Sequence, residues 1–175
     1  GALYIGMFHW AEKAGDAKTA DFLMKIGKET KWAPANRSYH ADDICVGQMY
    51  IEMYKKHKDE KMIQPLKERA FYVASHPSDA PLSKKDKVGK DTRWSWCDAL
   101  FMAPPVYAAL YTMTKEDVYR DYMISEFKEC TDSLYDESEG LYYRDCMRIG
   151  VKESNGAKQF WGRGNGWVFG GIPLI

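Results

Sequence analysis

Two kinds of helix alternate along this 175-residue chain, and the alternation limits the folds open to it. Leu3, Met7, Trp10 and Ala14 recur at threes and fours, the spacing of one helical face. Asp16 is placed to cap a second helix with Ala20, Leu23, Met24 and Gly27 on one side. A third helix opens at Asp42-Asp43 and runs through Val46, Met49, Tyr50, Met53 and Tyr54. A fourth follows Asp59, carries Met62, Ile63, Leu66, Ala70 and Val73, and ends near Pro77. The fifth extends from about Trp96 to Met113, with Pro104 and Pro105 expected to kink or tighten it. A sixth covers about Lys115 to Ser133, and a seventh is expected to begin after Gly166. Between these two the chain is turn-rich, and Leu141-Tyr142-Tyr143 reads as a short strand. The first, third and fifth helices are apolar nearly all round. The second, fourth and sixth are amphipathic and Lys-rich. An all-round apolar helix has to be buried, and an amphipathic one covers it. The expectation is therefore an all-α array of inner and outer helices paired in hairpins, stacked or closed on itself.

The connections are unequal in a regular way. Inner-to-outer links are short, at about 13–16, 55–60 and 112–116. Outer-to-inner links are long, at about 32–40, 75–94 and 134–160. All the long loops then emerge at one end of the array, and long loops on a rigid scaffold are where function concentrates. The same end presents the N-termini of the inner helices, whose exposed N–H groups favour an anionic ligand. Lys84, Lys85, Lys87 and Lys90 in the second long loop read either as a solvated surface or as a positive field at the mouth of a cavity.

Composition removes several functions. Lys and Arg number 25 against 25 Asp and Glu, so there is no charge excess to drive non-specific nucleic-acid binding. Six Trp, twelve Tyr and seven Phe do not fit a disordered chain. The longest uncharged run, Ala99 to Thr114, holds two prolines and is too short to span a membrane. Cys45, Cys97, Cys130 and Cys146 form no CxxC pair, and no His stands at zinc-ligand spacing from them, so no metal site is expected. They read as buried reduced thiols, with a Cys130–Cys146 disulfide as the alternative. The length alone suggests one domain. The ends suggest a fragment, because Gly1-Ala2-Leu3-Tyr4 and Gly170 to Ile175 both fall inside apolar helical pattern.

Three clusters fall at the long-loop end: His40-Ala41-Asp42-Asp43, Arg93-Trp94-Ser95-Trp96-Cys97-Asp98, and Trp161-Gly162-Arg163-Gly164-Asn165-Gly166-Trp167. Asp43 and Asp98 occupy equivalent places in successive inner helices and are expected to face one axial cavity. Two neighbouring carboxylates can split their pKa values, one staying ionised and the other protonated as a general acid. Plainer roles stand beside these. Asp42 or Asp43 can be a helix N-cap, the tryptophans can be core, and the glycine-rich run can be a tight turn. That run is no phosphate loop, since it lacks the GxxxxGK[ST] and GxGxxG spacings. Arg163 between Trp161 and Trp167 suits a sugar-acid clamp, with guanidinium on carboxylate and indole on sugar ring.

At these clusters the sequence resembles the unsaturated glycuronyl hydrolases. The segments that carry the likeness are His40 to Gln48, Trp96 to Pro105, and Trp161 to Trp167. The nearest resemblance is to the unsaturated rhamnogalacturonyl hydrolases of glycoside hydrolase family 105, with the unsaturated glucuronyl hydrolases of family 88 as cousins. The likeness implies an (α/α)6 barrel of helical hairpins, about half of it present. Residues 1–175 would then be the N-terminal and central part of a single catalytic domain. It implies Asp98 as general acid/base and Asp43 as the second carboxylate, positioning substrate and raising the pKa of Asp98. Arg163, Trp167, Trp161, Asp42, His40, Trp96, Met102 and Arg144 are the implied substrate contacts. No metal or cofactor is implied. The implied substrate is an oligosaccharide ending in a Δ4,5-unsaturated uronic acid, galacturonyl on rhamnose from pectin. The implied setting is the cytoplasm or periplasm of a polysaccharide-degrading bacterium. Two departures bear on subfamily. Arg144 stands near a position where some relatives carry a substrate-contacting His, and Asp42 stands where the glucuronyl cousins carry a His. The second departure favours family 105. The alternatives are an unsaturated glucuronyl hydrolase, another sugar-active enzyme on this scaffold such as an epimerase, or a non-catalytic helical-repeat binding module.

Overall fold

The computed structural model describes residues 1–82 and 93–175, so the lysines at 84, 85, 87 and 90 lie outside the described residues. The first hairpin is α1 (Ala2–Ala14) and α2 (Ala17–Glu29). Gly15 turns the chain in the left-handed region (φ 65°), where a side chain would be strained. Asp16 caps α2 as expected: Oδ1 accepts the Thr19 N–H at 3.2 Å and Oδ2 the Thr19 hydroxyl at 2.8 Å.

The expected third helix is two segments, α3 (Ala41–Ile44) and α4 (Gly47–His57). A 3₁₀ turn at Glu60–Met62 leads into α5 (Gln64–Ser75). The expected fifth helix is also broken, into α6 (Ala99–Met102) and α7 (Pro104–Thr114). Here the prolines supply the reason, since neither can donate a backbone hydrogen bond to the preceding turn. Helix α8 (Asp117–Leu134) runs directly into a two-residue hairpin, β1 (Tyr135–Asp136) against β2 (Leu141–Tyr142), with Tyr135 opposite Tyr142. A 3₁₀ turn at Cys146–Arg148 follows. Helix α9 (Gly162–Gly171) starts five residues before the predicted point, because the glycine-rich run read as a turn is its first turn.

Helix α1 packs on α4 and α4 on α7, which makes an inner row. Helices α2 and α8 pack back as hairpin partners of α1 and α7, and α5 packs against α8 on the outside. Burial follows this layering. Helix α4 is buried at Gly47, Gln48, Met49, Tyr50, Ile51 and Met53, with no solvent face over its first half. Helix α8 buries Tyr119, Tyr122, Glu126, Cys130 and Leu134, a single stripe at threes and fours. Gly47 lets α4 close on its neighbours, since a Cβ there would stand 2.7 Å from Leu66 Cδ1. The apolar helix α1 departs from the expectation of all-round burial. It buries Phe8 and Ala11 but exposes Leu3 (70 %) and Trp10 (63 %), because its cover comes mainly from α2 and α4. Phe169 on α9 is exposed for the same reason of one-sided cover. The architecture is a partial barrel of helical hairpins.

Candidate active site

His40 decides the geometry of the first cluster. It is the N-cap of α3, its Nδ1 accepting the Asp42 N–H at 3.2 Å. Neither aspartate is therefore the cap, and both carboxylates are left for other partners. Burial holds the His40 imidazole below its usual pKa, against the opposing charge of Asp42. Asp43 is buried and engaged by Arg37. The Arg37 backbone N–H donates to Oδ2 at 2.8 Å and its Nε to Oδ1 at 3.0 Å. Burial pushes the Asp43 carboxyl up, but the Arg37 hydrogen bonds and charge outweigh it and hold the group below the ordinary carboxylate range. Asp42 faces outward, its side chain 55 % exposed.

The second cluster is anchored before it reaches the site. Arg93 is buried against α8, forking onto Glu126 (Nη2–Oε1 2.6 Å, Nε–Oε2 3.1 Å) and reaching Glu129 and the Ala80 carbonyl. Trp94 is buried edge-on to Tyr122, ring centroids 5.9 Å apart. The Cys97 N–H donates to the Arg144 carbonyl at 2.9 Å. This fixes the strip that ends in Asp98, at the entrance to α6. No side chain among the described residues hydrogen-bonds the Asp98 carboxyl. Burial, and then the negative charge of Asp42, push its pKa up to about 6, while its own and the Ala99 N–H groups and the Arg163 guanidinium pull the other way. The negative charge that raises Asp98 is that of Asp42, while the Asp43 carboxylate is engaged by Arg37.

The third cluster closes on the second. Helix α6 packs against both α3 and α9, so the three clusters meet at α6. Gly164 allows the approach, because a Cβ there would run into the Trp161 ring and stand 2.7 Å from Cys97 Sγ. Asn165 locks α9 to β2 by mimicking a strand: its Oδ1 accepts the Tyr142 N–H at 2.8 Å and its Nδ2 donates to the Tyr142 carbonyl at 2.9 Å. The aromatic and cationic groups form a ladder. Arg144 lies over Trp96 at 4.4 Å, Trp96 meets Trp161 edge-to-face at 6.0 Å, and Arg163 lies over Trp161 at 4.8 Å. Trp167 packs on Phe101 with centroids 4.7 Å apart. Arg163 is exposed and makes no ion pair among the described residues. Arg144 is partly neutralised, its Nε donating to the buried Asp145 at 2.6 Å.

Other expectations fare unevenly. Met102 is in the core, only 8 % exposed. Two of the inner-helix N-termini at this end belong to the four-residue α3 and α6, too short to sum a macrodipole, and the third is that of the ten-residue α9, which carries Arg163 in its first turn. All four cysteines are free thiols, and burial pushes Cys97 up to about 12, which makes it unreactive. Among the described residues no cluster of His, Cys, Asp or Glu could hold a metal ion, and no helix is long and apolar enough to cross a membrane. A small cavity lined by Phe8, Met24, Met53 and Lys56 lies at the short-connection end, away from all three clusters. The reading of the sequence missed Arg37, Gln48 and Asp145. Gln48 alone left a trace, as a polar residue on an otherwise apolar helical face.

Comparison with known proteins gives a consistent picture. The model for Glycosyl Hydrolase Family 88 matches residues 1–175. Two curated relatives are each named unsaturated 3S-rhamnoglycuronyl hydrolase. The one from Alteromonas sp. (strain LOR) is 33 % identical over 99 % of this chain and 45 % of its own length. The one from Formosa agariphila is 35 % identical over 100 % of this chain and 49 % of its own length. The chain therefore spans about half the length of the curated relatives it matches. Among solved structures, a chain described as a polysaccharide lyase superposes with a TM-score of 0.84 at 25 % identity, over 99 % of this chain and 51 % of its own. A family 88 glycosyl hydrolase from Bacteroides vulgatus gives 0.82 at 25 % identity, over 99 % and 52 %. A family 105 glycoside hydrolase from C. acetobutylicum gives 0.68 at 22 %, over 98 % and 51 %, a likeness of fold. Both families of the resemblance are thus among the matches, and the matching model is that of family 88.

Proposed function

This chain belongs to Glycosyl Hydrolase Family 88, and on that footing we propose that the protein carrying it releases a Δ4,5-unsaturated uronic acid from an oligosaccharide by hydrating the vinyl ether. The neighbouring sugar we assign is rhamnose, in keeping with the names of the two curated relatives. The uronyl group is galacturonyl in the reading the sequence motifs favour. Residues 1–175 would be about half of a single (α/α)6 domain, in line with their share of the relatives' length.

The observation that carries the proposal is Asp98. Its pKa near 6 keeps a useful fraction protonated close to neutral pH, as a general acid requires. Asp98 donates its proton to C4 of the double bond. Positive charge then develops at C5 and the ring oxygen. The Asp98 carboxylate takes a proton from the water that attacks C5. The resulting hemiketal opens and frees the next sugar. Protonation at carbon sets this apart from the usual pair of carboxyls across a glycosidic oxygen. Asp42 takes the role of second carboxylate, and its charge keeps Asp98 protonated. Asp43 with Arg37 becomes the brace that holds the Asp42 segment. Arg163, supported on Trp161, binds the uronate carboxylate, and its positive charge faces the reacting ring. Trp167, Trp161 and Trp96 offer aromatic faces to the sugars, and Arg144 lies toward the leaving sugar. His40 shapes the Asp42 turn.

The direct test is incubation of the full-length protein with an unsaturated uronyl–rhamnose disaccharide. The ultraviolet absorbance of the conjugated double bond should disappear, and Asp98→Asn should abolish the loss. A lyase on this scaffold would create that absorbance from a saturated polymer, and that result would overturn the proposal.

A further inference from the structure

Gln48 is a lone amide on the most deeply buried helix, and the chemistry above gives it no part. It is the second residue of α4, just after the α3 segment that presents Asp42. Its surroundings explain it. Pro104 and Pro105 open α7 and remove two backbone donors. In an unbroken helix the residue 105 N–H would bond the Phe101 carbonyl, and the Val106 N–H would bond that of Met102. Pro105 has no N–H, and Val106 instead donates to Ala103 at 3.0 Å. The carbonyls of Phe101 and Met102 are left without backbone partners inside the core. Gln48 Nε2 donates to both, at 2.9 Å to Phe101 and 3.2 Å to Met102. The amide can face only one way, because both partners are acceptors.

The consequence reaches Asp98. Helix α6 is a single turn, Ala99–Met102, with Asp98 at its entrance and the proline break at its exit. So short a helix has little stability of its own. Gln48 holds the exit and ties it to the segment that carries Asp42. We propose that Gln48 is a positioning residue for Asp98, whose amide sets the α6 turn and so fixes the acid against Asp42. Only a neutral group with two N–H donors satisfies both carbonyls. The proposal rests on the hydrolase reading for Asp98's role as the acid, but the positioning itself has a readout that needs no catalysis.

That readout is titration of the Asp98 carboxyl by carbon-13 NMR in the full-length protein, beside kinetics on the unsaturated disaccharide. The variants are Gln48→Met, which keeps the volume without a donor, and Gln48→Glu, which can donate one hydrogen bond only while protonated. Gln48→Met should lower kcat by about 100-fold with KM little changed, the cost of an ångström-scale misplacement. Asp98 should then titrate at lower pH, as a loosened turn admits water. Gln48→Glu should recover activity relative to wild type as pH falls. Wild-type kcat and an unmoved Asp98 titration in Gln48→Met overturn the proposal. If Gln48→Met does not fold, Gln48→Glu decides, and a variant-to-wild-type activity ratio constant with pH overturns it. An Asp98 titration that moves in a protein inert toward the disaccharide upholds the positioning role and overturns the hydrolase reading instead.

Discussion

Replacing Asp98 with Asn should stabilise the protein while silencing it, and the stabilisation should depend on pH. Burial and Asp42 raise the Asp98 carboxyl from 3.8 to about 6. At about 1.4 kcal/mol per pKa unit this corresponds to about 3 kcal/mol. The carboxyl is only half-buried, and solvent screening reduces the figure to about 1–2 kcal/mol. The sign follows from proton binding. A carboxyl with a raised folded-state pKa keeps its proton where the unfolded chain has lost it. The fold therefore carries no penalty below about pH 4, loses stability as pH rises from about 4 to about 6, and bears the full cost above. Asn is neutral throughout. Denaturant unfolding of wild type and Asp98→Asn should give nearly equal stability at about pH 4 and an advantage of about 1–2 kcal/mol for the variant at about pH 8. A gap of the same size at both pH values, or a wild type more stable at the higher pH, would refute the reasoning. It would mean that Asp98 is not held protonated by its surroundings.

Further outcomes follow from the same geometry. Asp42→Asn removes the charge that acts on Asp98, so the pH–rate limb set by protonated Asp98 should move to lower pH. Asp43→Asn should leave that limb in place and cost about 1–3 kcal/mol in a denaturant melt, because Arg37 loses its charged partner. Arg163→Met should raise KM and move the limb to higher pH, since a cation that opposes Asp98 protonation is gone. Gly164→Ala should cost about 1–3 kcal/mol by forcing a methyl into Trp161 and Cys97. Gly166→Ala on the same helix meets nothing within 4 Å and should gain about 0.5–1 kcal/mol in the same denaturant melt.

Much of this arrangement was legible in the sequence because it is written in hydrophobic period and loop length. The alternation of apolar and amphipathic stretches places α4, α7 and α8 in the right layers. The long loops correctly bring Asp98, Arg163 and the tryptophans to one end. The breaks between α3 and α4 and between α6 and α7 were not all visible. Pro104 and Pro105 announce the second break, while nothing in Cys45-Val46 announces the first. The different partners of Asp42 and Asp43 were hidden too. Adjacent residues in a helical turn point in different directions, and which one is consumed depends on Arg37, six positions away in a loop that no period constrains. The start of α9 was missed for the opposite reason. Glycine spacing suggests a turn, whereas Gly164 serves close approach to Cys97 within a helix.

The central claim is that Asp98 delivers a proton to C4 of an unsaturated uronic acid. Proton NMR of the full-length protein acting on an unsaturated uronyl–rhamnose disaccharide in heavy water tests it most directly. The account predicts a product with one deuterium at C4, free rhamnose, and no turnover by Asp98→Asn. Release of rhamnose without deuterium at C4, or an Asp98→Asn variant that keeps the wild-type rate, would contradict it.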